Sequence, residues 1–164
     1  MATLQEQLVK YLTDAHALEQ QSLRQLKNGA DTADDPELAA ALQQHAAETE
    51  QQMNLLRERL ESHGASPSTV KDVGGTITAL GKGLLDKARP DNVGKIARDA
   101  YTAEHLEIAS YELLERVARR AGDVQTAQVA ARIKAEEEAA ATRITAQWDR
   151  VVERSLQQEG VTVP

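Results

Sequence analysis

The chain has no cysteine and no phenylalanine, and tyrosine and tryptophan together make only 2% of its 164 residues. Without cysteine there are no disulfides, thiolate zinc sites or cysteine nucleophiles. The scarcity of aromatic residues argues against sheets, which favour aromatic and β-branched side chains. Positive charge is also in deficit: 19 Lys and Arg against 26 Asp and Glu give a net charge of −7. That balance argues against a nucleic-acid surface, which needs a basic face, and offers no polybasic contact for anionic lipid. No apolar run approaches the ~18 residues of a membrane span. The opening Met1-Ala2-Thr3-Leu4-Gln5 lacks a basic region followed by an apolar run, so no signal peptide is expected. A cysteine-free chain with these features is expected in the cytoplasm, without nucleic-acid or membrane partners.

What the sequence has in quantity is alanine, 27 residues of it, together with Leu, Glu, Gln and Arg, the strong helix formers. An all-α fold follows, as one domain over residues 1–164. The first helix is expected from Leu4 to Asn28. Thr3 and Glu6 form a capping box at its start, and Gly29 is expected to supply a left-handed stop. Leu4, Leu8, Leu12, Ala15, Leu23 and Leu26 make its apolar stripe. The second helix opens at Asp35-Pro36-Glu37, a side-chain cap followed by proline in the first turn. Its stripe is Leu38, Leu42, Met53, Leu56 and Leu60, and Gly64 ends it.

Residues 64–92 hold five of the nine glycines and two of the four prolines. They read as a connection with one short helix over Thr76–Ala88, broken at Pro90. A third helix follows over Val93–Ala121, with Val93, Ile96, Ala100, Ile108, Tyr111, Leu114 and Ala118 as its stripe. Gly122-Asp123 is a stop followed by a cap. The fourth helix is expected over Val124–Leu156, with stripe Val129, Ile133, Ala140, Ile144, Trp148 and Val151. These helices are roughly 37–50 Å long. The short links make antiparallel pairs, and the long middle connection lets the third helix run parallel to the second. The result is an antiparallel four-helix bundle with one long crossover between helices two and three.

A weak internal repeat relates the halves. At an offset of 85, Asp14–Glu19 aligns with Asp99–Glu104; at 88, Glu48 aligns with Glu136 and Glu50 with Glu138. The aligned residues include carboxylates, and several fall where leucine is expected. Glu19 is +4 from Ala15 and −4 from Leu23. Glu104 stands between Ala100 and Ile108 in the same way, with Glu107 one turn on. His45 and Glu48 lie i, i+3 at a stripe edge, and Glu137 follows Ile133 by four, beside Glu136. Periodicity turns Glu137 inward, and the repeat favours Glu136. His16 and His105 fall outside the inner stripe and are expected at the surface. A lone ionised carboxylate in a bundle core costs several kcal/mol. Carboxylates on all four helices at one height have a physical solution in divalent metal, and carboxylates with histidine suit iron or manganese, as one ion or two.

Four segments carry a family resemblance: Leu12–Glu19, Pro36-Glu37-Leu38, His45–Glu50 and Glu104–Tyr111. Taken in order, they resemble the YciF-type stress-induced proteins, bacterial members of the ferritin-like superfamily, over roughly residues 4–155. The resemblance implies a ferritin-like bundle, a homodimer, a stress-response role and a dinuclear metal site. The ligand candidates are Glu19, His45, Glu48, Glu104, Glu107, Glu136 and Glu137. If the site is active, the expected chemistry is oxidation of Fe(II) by O2 or peroxide. Two departures stand against it. On helix two the order is His45-x-x-Glu48, the reverse of the ferritin-like Glu-x-x-His, and no histidine follows Glu136 or Glu137 by three. The competing reading is a non-enzymatic helical bundle, an interaction or protective module with a degenerate site.

Overall fold

The computed structural model describes residues 1–67 and 93–162, so the expected crossover helix over Thr76–Ala88 lies outside the described residues. Five helices are described: α1 (Leu4–Thr32), α2 (Pro36–Ser62), α3 (Val93–Arg120), α4 (Val124–Thr145) and α5 (Trp148–Gln158). There is no strand among the described residues, and none of these helices is long and apolar enough to cross a membrane.

Three helix starts are set by side-chain caps. Thr3 Oγ1 accepts the Glu6 amide while Glu6 Oε2 accepts the Thr3 amide, at 3.1 and 2.7 Å. Asp35 Oδ1 accepts the Leu38 amide at 2.8 Å with Pro36 in the first turn, and Asp123 Oδ1 accepts the Thr126 amide at 2.9 Å. Gly64 and Gly122 end α2 and α3 at φ of 69° and 74°, a left-handed conformation that glycine adopts without strain.

α1 packs chiefly on α2 and α3 chiefly on α4, and α1–α3 and α2–α4 contacts join the two hairpins. The core divides into two apolar clusters. At one end Leu8, Leu12, Leu56, Leu60, Tyr111, Leu114, Ala127 and Ile133 pack together. At the other, Leu26, Leu38, Leu42, Val93, Ala97, Ile144 and Val151 do. The start of α1 therefore lies with the end of α2, the end of α3 and the start of α4. α2 and α3 run parallel, so the end of α2 and the start of α3 lie at opposite ends of the bundle, as a one-crossover bundle requires. Each fully buried leucine contributes about 1.5–3 kcal/mol of transfer free energy.

The hairpins are also tied at both ends by the aspartates that cap their helices. Arg59 of α2 holds Asp123, the cap of α4, at 3.1 Å, and His63 Nε2 meets the same carboxylate at 2.8 Å. Arg150 of α5 holds Asp35, the cap of α2, at 2.9 Å.

Three features differ from the sequence reading. α1 runs through Gly29 to Thr32, because Gly29 serves close packing and makes no turn. A Cβ there would stand 3.2 Å from Leu42 Cδ1 and 3.4 Å from Ile96 Cγ2. The fourth helix breaks at Ala146-Gln147, and α5 turns onto α3. Trp148 then packs edge-on against Tyr101, with ring centres 5.9 Å apart, and Gln158 Oε1 accepts the Val93 amide. Packing across the bundle end decides this break, in a segment without Gly or Pro. The buried stripes are also rotated. On α2 it runs through Leu42, His45, Thr49, Gln52 and Leu56, with Met53 half-buried; on α3 through Ala97, Glu104, Glu107 and Tyr111, with Ile96, Ala100 and Ile108 half-buried.

Candidate metal centre

Between the two apolar clusters the bundle holds a polar layer. Glu19 comes from α1, His45, Thr49 and Gln52 from α2, Glu104 and Glu107 from α3, and Glu137 from α4, none more than 3% exposed. Each sits where helical periodicity puts a core residue. Glu19 lies between Ala15 and Leu26, the α3 pair between Ala97 and Tyr111, and Glu137 between Ile133 and Ala140.

His45 is the hub. Its Nε2 lies 2.9 Å from Glu104 Oε2 and 3.0 Å from Glu137 Oε2, and its Nδ1 lies 3.2 Å from Glu48 Oε2. Burial alone would push the imidazole down, but Glu104 and Glu137 outweigh it and raise it to about 12. Without an ion, His45 is therefore an imidazolium among carboxylates. One positive charge does not satisfy the group. Burial pushes Glu19 up to about 8, helped by the charge of Glu137 and opposed by the Tyr111 hydrogen bond. Burial raises Glu104 to about 7 against the pull of His45. Glu107 is driven well above the ordinary carboxylate value, first by burial and then by Glu19, Glu104 and Glu137.

The hydrogen-bond account is incomplete in the same place. Both oxygens of Glu107, Glu104 Oε1 and Glu19 Oε2 lack a hydrogen-bond partner, and Glu104 Oε2 and Glu137 Oε2 share the single His45 Nε2. A buried group left unpaired costs about 1–3 kcal/mol, and a charged one more. His45, Glu104, Glu107 and Glu137 each offer one ligand atom, and these atoms all lie within 4.8 Å of one another. Unpaired carboxylate oxygens converging with an imidazole nitrogen form a donor set that a divalent cation satisfies in charge and in contacts.

The structure thus brings together Glu19, His45, Glu104, Glu107 and Glu137 of the seven ligand candidates. Glu48 stays at the rim, half-buried, bound by Arg143 and Gln44 as well as His45. Its own burial is outweighed by those partners, which lower its carboxyl below the ordinary value. Glu136 is also at the rim, paired with Arg132 at 2.8 Å. The repeat offset therefore matched two rim residues, while periodicity placed Glu137. His105 is exposed as expected, but His16 is buried, and burial lowers its pKa, with Arg57 adding to the effect.

One supporting residue, Gln52, is not apparent from the sequence. Gln52 donates to Glu137 Oε1 at 2.6 Å and to Glu136 Oε2 at 3.1 Å. The spacing Leu42, His45, Thr49, Gln52, Leu56 would have revealed it, but Met53 is the more apolar neighbour. Tyr111, placed in the core by its stripe, donates its hydroxyl to Glu19 Oε1.

Residues 3–157 match the family model described as a domain of unknown function, DUF892. The fold superposes on a protein from Xanthomonas campestris pv. campestris with a TM-score of 0.80 and 30% identity, covering 98% of this chain and 100% of that one. The stress protein YciF of E. coli gives 0.76 and 22% identity over 94% and 98% of the two chains. Ferritin-like, diiron-carboxylate proteins from Bacillus anthracis give 0.73 and 15% identity over 89% and 98%. At those last two identities the likeness is one of fold: a ferritin-like helical bundle.

Proposed function

This chain belongs to the DUF892 family, and we propose that its buried layer binds a divalent transition metal, iron or manganese. The observation that carries this reading is the convergence of four ligand atoms from His45, Glu104, Glu107 and Glu137 within 4.8 Å, with both oxygens of Glu107 and Oε1 of Glu104 unpaired. Glu19, across the layer, would bind a second ion if the centre is dinuclear. Such an ion supplies one-electron redox chemistry toward O2 or peroxide.

The chain's own residues prepare the site. Gln52 fixes the Glu137 carboxylate from α2. Glu48, itself held by Arg143, lies against the far nitrogen of His45 and leaves Nε2 facing the cluster, an arrangement typical of ligand histidines. Tyr111 anchors one oxygen of Glu19 and leaves the other unpaired. Within this reading the protein is a cytoplasmic, homodimeric stress-response protein.

Anaerobic titration with Fe(II) and Mn(II) tests it. Protein prepared without chelator should bind at least one of the two, and Glu104→Gln should weaken that binding by an order of magnitude or more. If the wild-type protein binds neither ion, the reading fails. A second reading, a bundle without bound metal, is favoured by one observation. Ala140 occupies the inward position three residues after Glu137, where a ferritin-like site has histidine. Elemental analysis of the purified protein separates the two.

A further inference from the structure

A pocket of about 230 Å³ opens between α1 and α3, lined among others by Leu18, Ser22, Thr102, Ala103, Leu106 and Glu107. Its walls at Leu18, Ala103 and Leu106 are apolar. Arg98 and Asp99 neutralise each other, 2.6 Å apart. Two polar groups line it without partners: the Ser22 hydroxyl, 3% exposed, and the Glu107 carboxyl, fully buried. Each would normally be hydrogen-bonded. Glu107 also belongs to the cluster, so whatever fills the pocket lies against the proposed metal centre.

We propose that this pocket binds a small uncharged organic molecule with an apolar body and one hydroxyl, such as a phenol or a short alcohol. The apolar body covers Leu18, Ala103 and Leu106, and the hydroxyl completes the hydrogen bonding of Ser22 and Glu107. A formal charge is disfavoured. An ion of either sign would shed its water against the apolar walls. The volume suits a single ring, since a cavity of about 150 Å³ holds benzene. The site shares Glu107 with the metal centre but does not depend on bound metal.

Titration of the full chain, stripped of metal, with phenol and with toluene tests this by amide chemical shifts. Phenol should produce saturable shifts at Ser22, Thr102 and Ala103, and toluene should bind about tenfold or more weakly. Ser22→Ala, which removes an unpaired buried hydroxyl and so should fold, should bring phenol down towards the affinity of toluene. Ala103→Leu, which fills the pocket, should abolish phenol binding and leave Fe(II) and Mn(II) titrations unchanged. No saturable shift with phenol, equal affinity for toluene, or undiminished phenol binding in Ala103→Leu each overturns the proposal. Because phenol binding is measured without metal, loss of the metal reading would leave this result standing.

Discussion

Tyr111 of α3 and Glu19 of α1, both buried, meet through a single hydrogen bond in which the tyrosine hydroxyl donates to Oε1 of the carboxyl. It joins helices from different hairpins inside the polar layer. Tyr111→Phe keeps the ring packing and leaves Glu19 with both oxygens unpaired. The metal-free protein should lose about 1–3 kcal/mol of stability in urea unfolding, with little change in helix content. A loss below about half a kcal/mol would mean that the bond contributes no orientation to Glu19.

Glu107→Gln should act in opposite directions with and without metal. In the metal-free protein it removes a carboxyl that burial and three neighbouring carboxylates hold well above its ordinary range. The variant should be more stable than wild type by about 1–3 kcal/mol near pH 8, and the gap should close towards about pH 4.5 and below, where the unfolded carboxyl also takes up its proton. Its affinity for Fe(II) or Mn(II) should fall by about tenfold or more. Thermal melts at both pH values, with and without Mn(II), check both arms.

The pH dependence of the whole layer follows from the same shifts. Glu19 and Glu104 are raised from 4.5 to about 8 and about 7, and His45 from 6.5 to about 12. Across about pH 4.5–8 the folded metal-free chain therefore binds more protons than the unfolded chain. The stabilising contribution is full below the unfolded values and is lost as pH rises through the folded ones. Metal-free stability should fall from about pH 5.5 to pH 8. Metal affinity should rise over the same range, because the ligands must give up protons. Parallel slopes with and without metal would contradict the site.

Asp123 gives the opposite slope at a bundle end. Its own burial is outweighed by Thr126, His63 and Arg59, which hold the carboxyl well below its ordinary 3.8. Its contribution is present above pH 3.8 and is lost as pH falls through the folded value. Asp123→Ala should destabilise the protein by about 2 kcal/mol near neutrality, about half of it from the lost cap. Asp123→Asn should cost about 1, since the amide oxygen still caps α4. Chemical unfolding should show the gap between wild type and Asp123→Ala closing in acid.

Local signals predicted local structure well. Thr3, Asp35 and Asp123 cap their helices, and Gly64 and Gly122 stop theirs, because each outcome is decided within a few residues. The inward carboxylates Glu19, Glu104, Glu107 and Glu137 were legible as interruptions of apolar stripes. What failed depended on neighbours distant in sequence. Gly29 reads as a stop, but Leu42 and Ile96 press against it. His16 reads as a surface residue, and Gln52 is unmarked, until the bundle surrounds them. The turn at Ala146-Gln147 depends on what Trp148 and Gln158 meet on α3, which no window along α4 contains.

The two apolar clusters are separated by a layer that holds itself together poorly without an ion. In the metal-free chain, the two ends are coupled through the unbroken helices and through the few bonds of the layer itself, those of Tyr111 to Glu19, Gln52 to Glu137 and His45 to Glu104 and Glu137. An ion bound between His45 and the carboxylates would join all three later helices of the layer at once. Its effect would then be felt beyond the site, as slower amide exchange at Leu12 and Leu26 alike, turning two loosely linked halves into one unfolding unit.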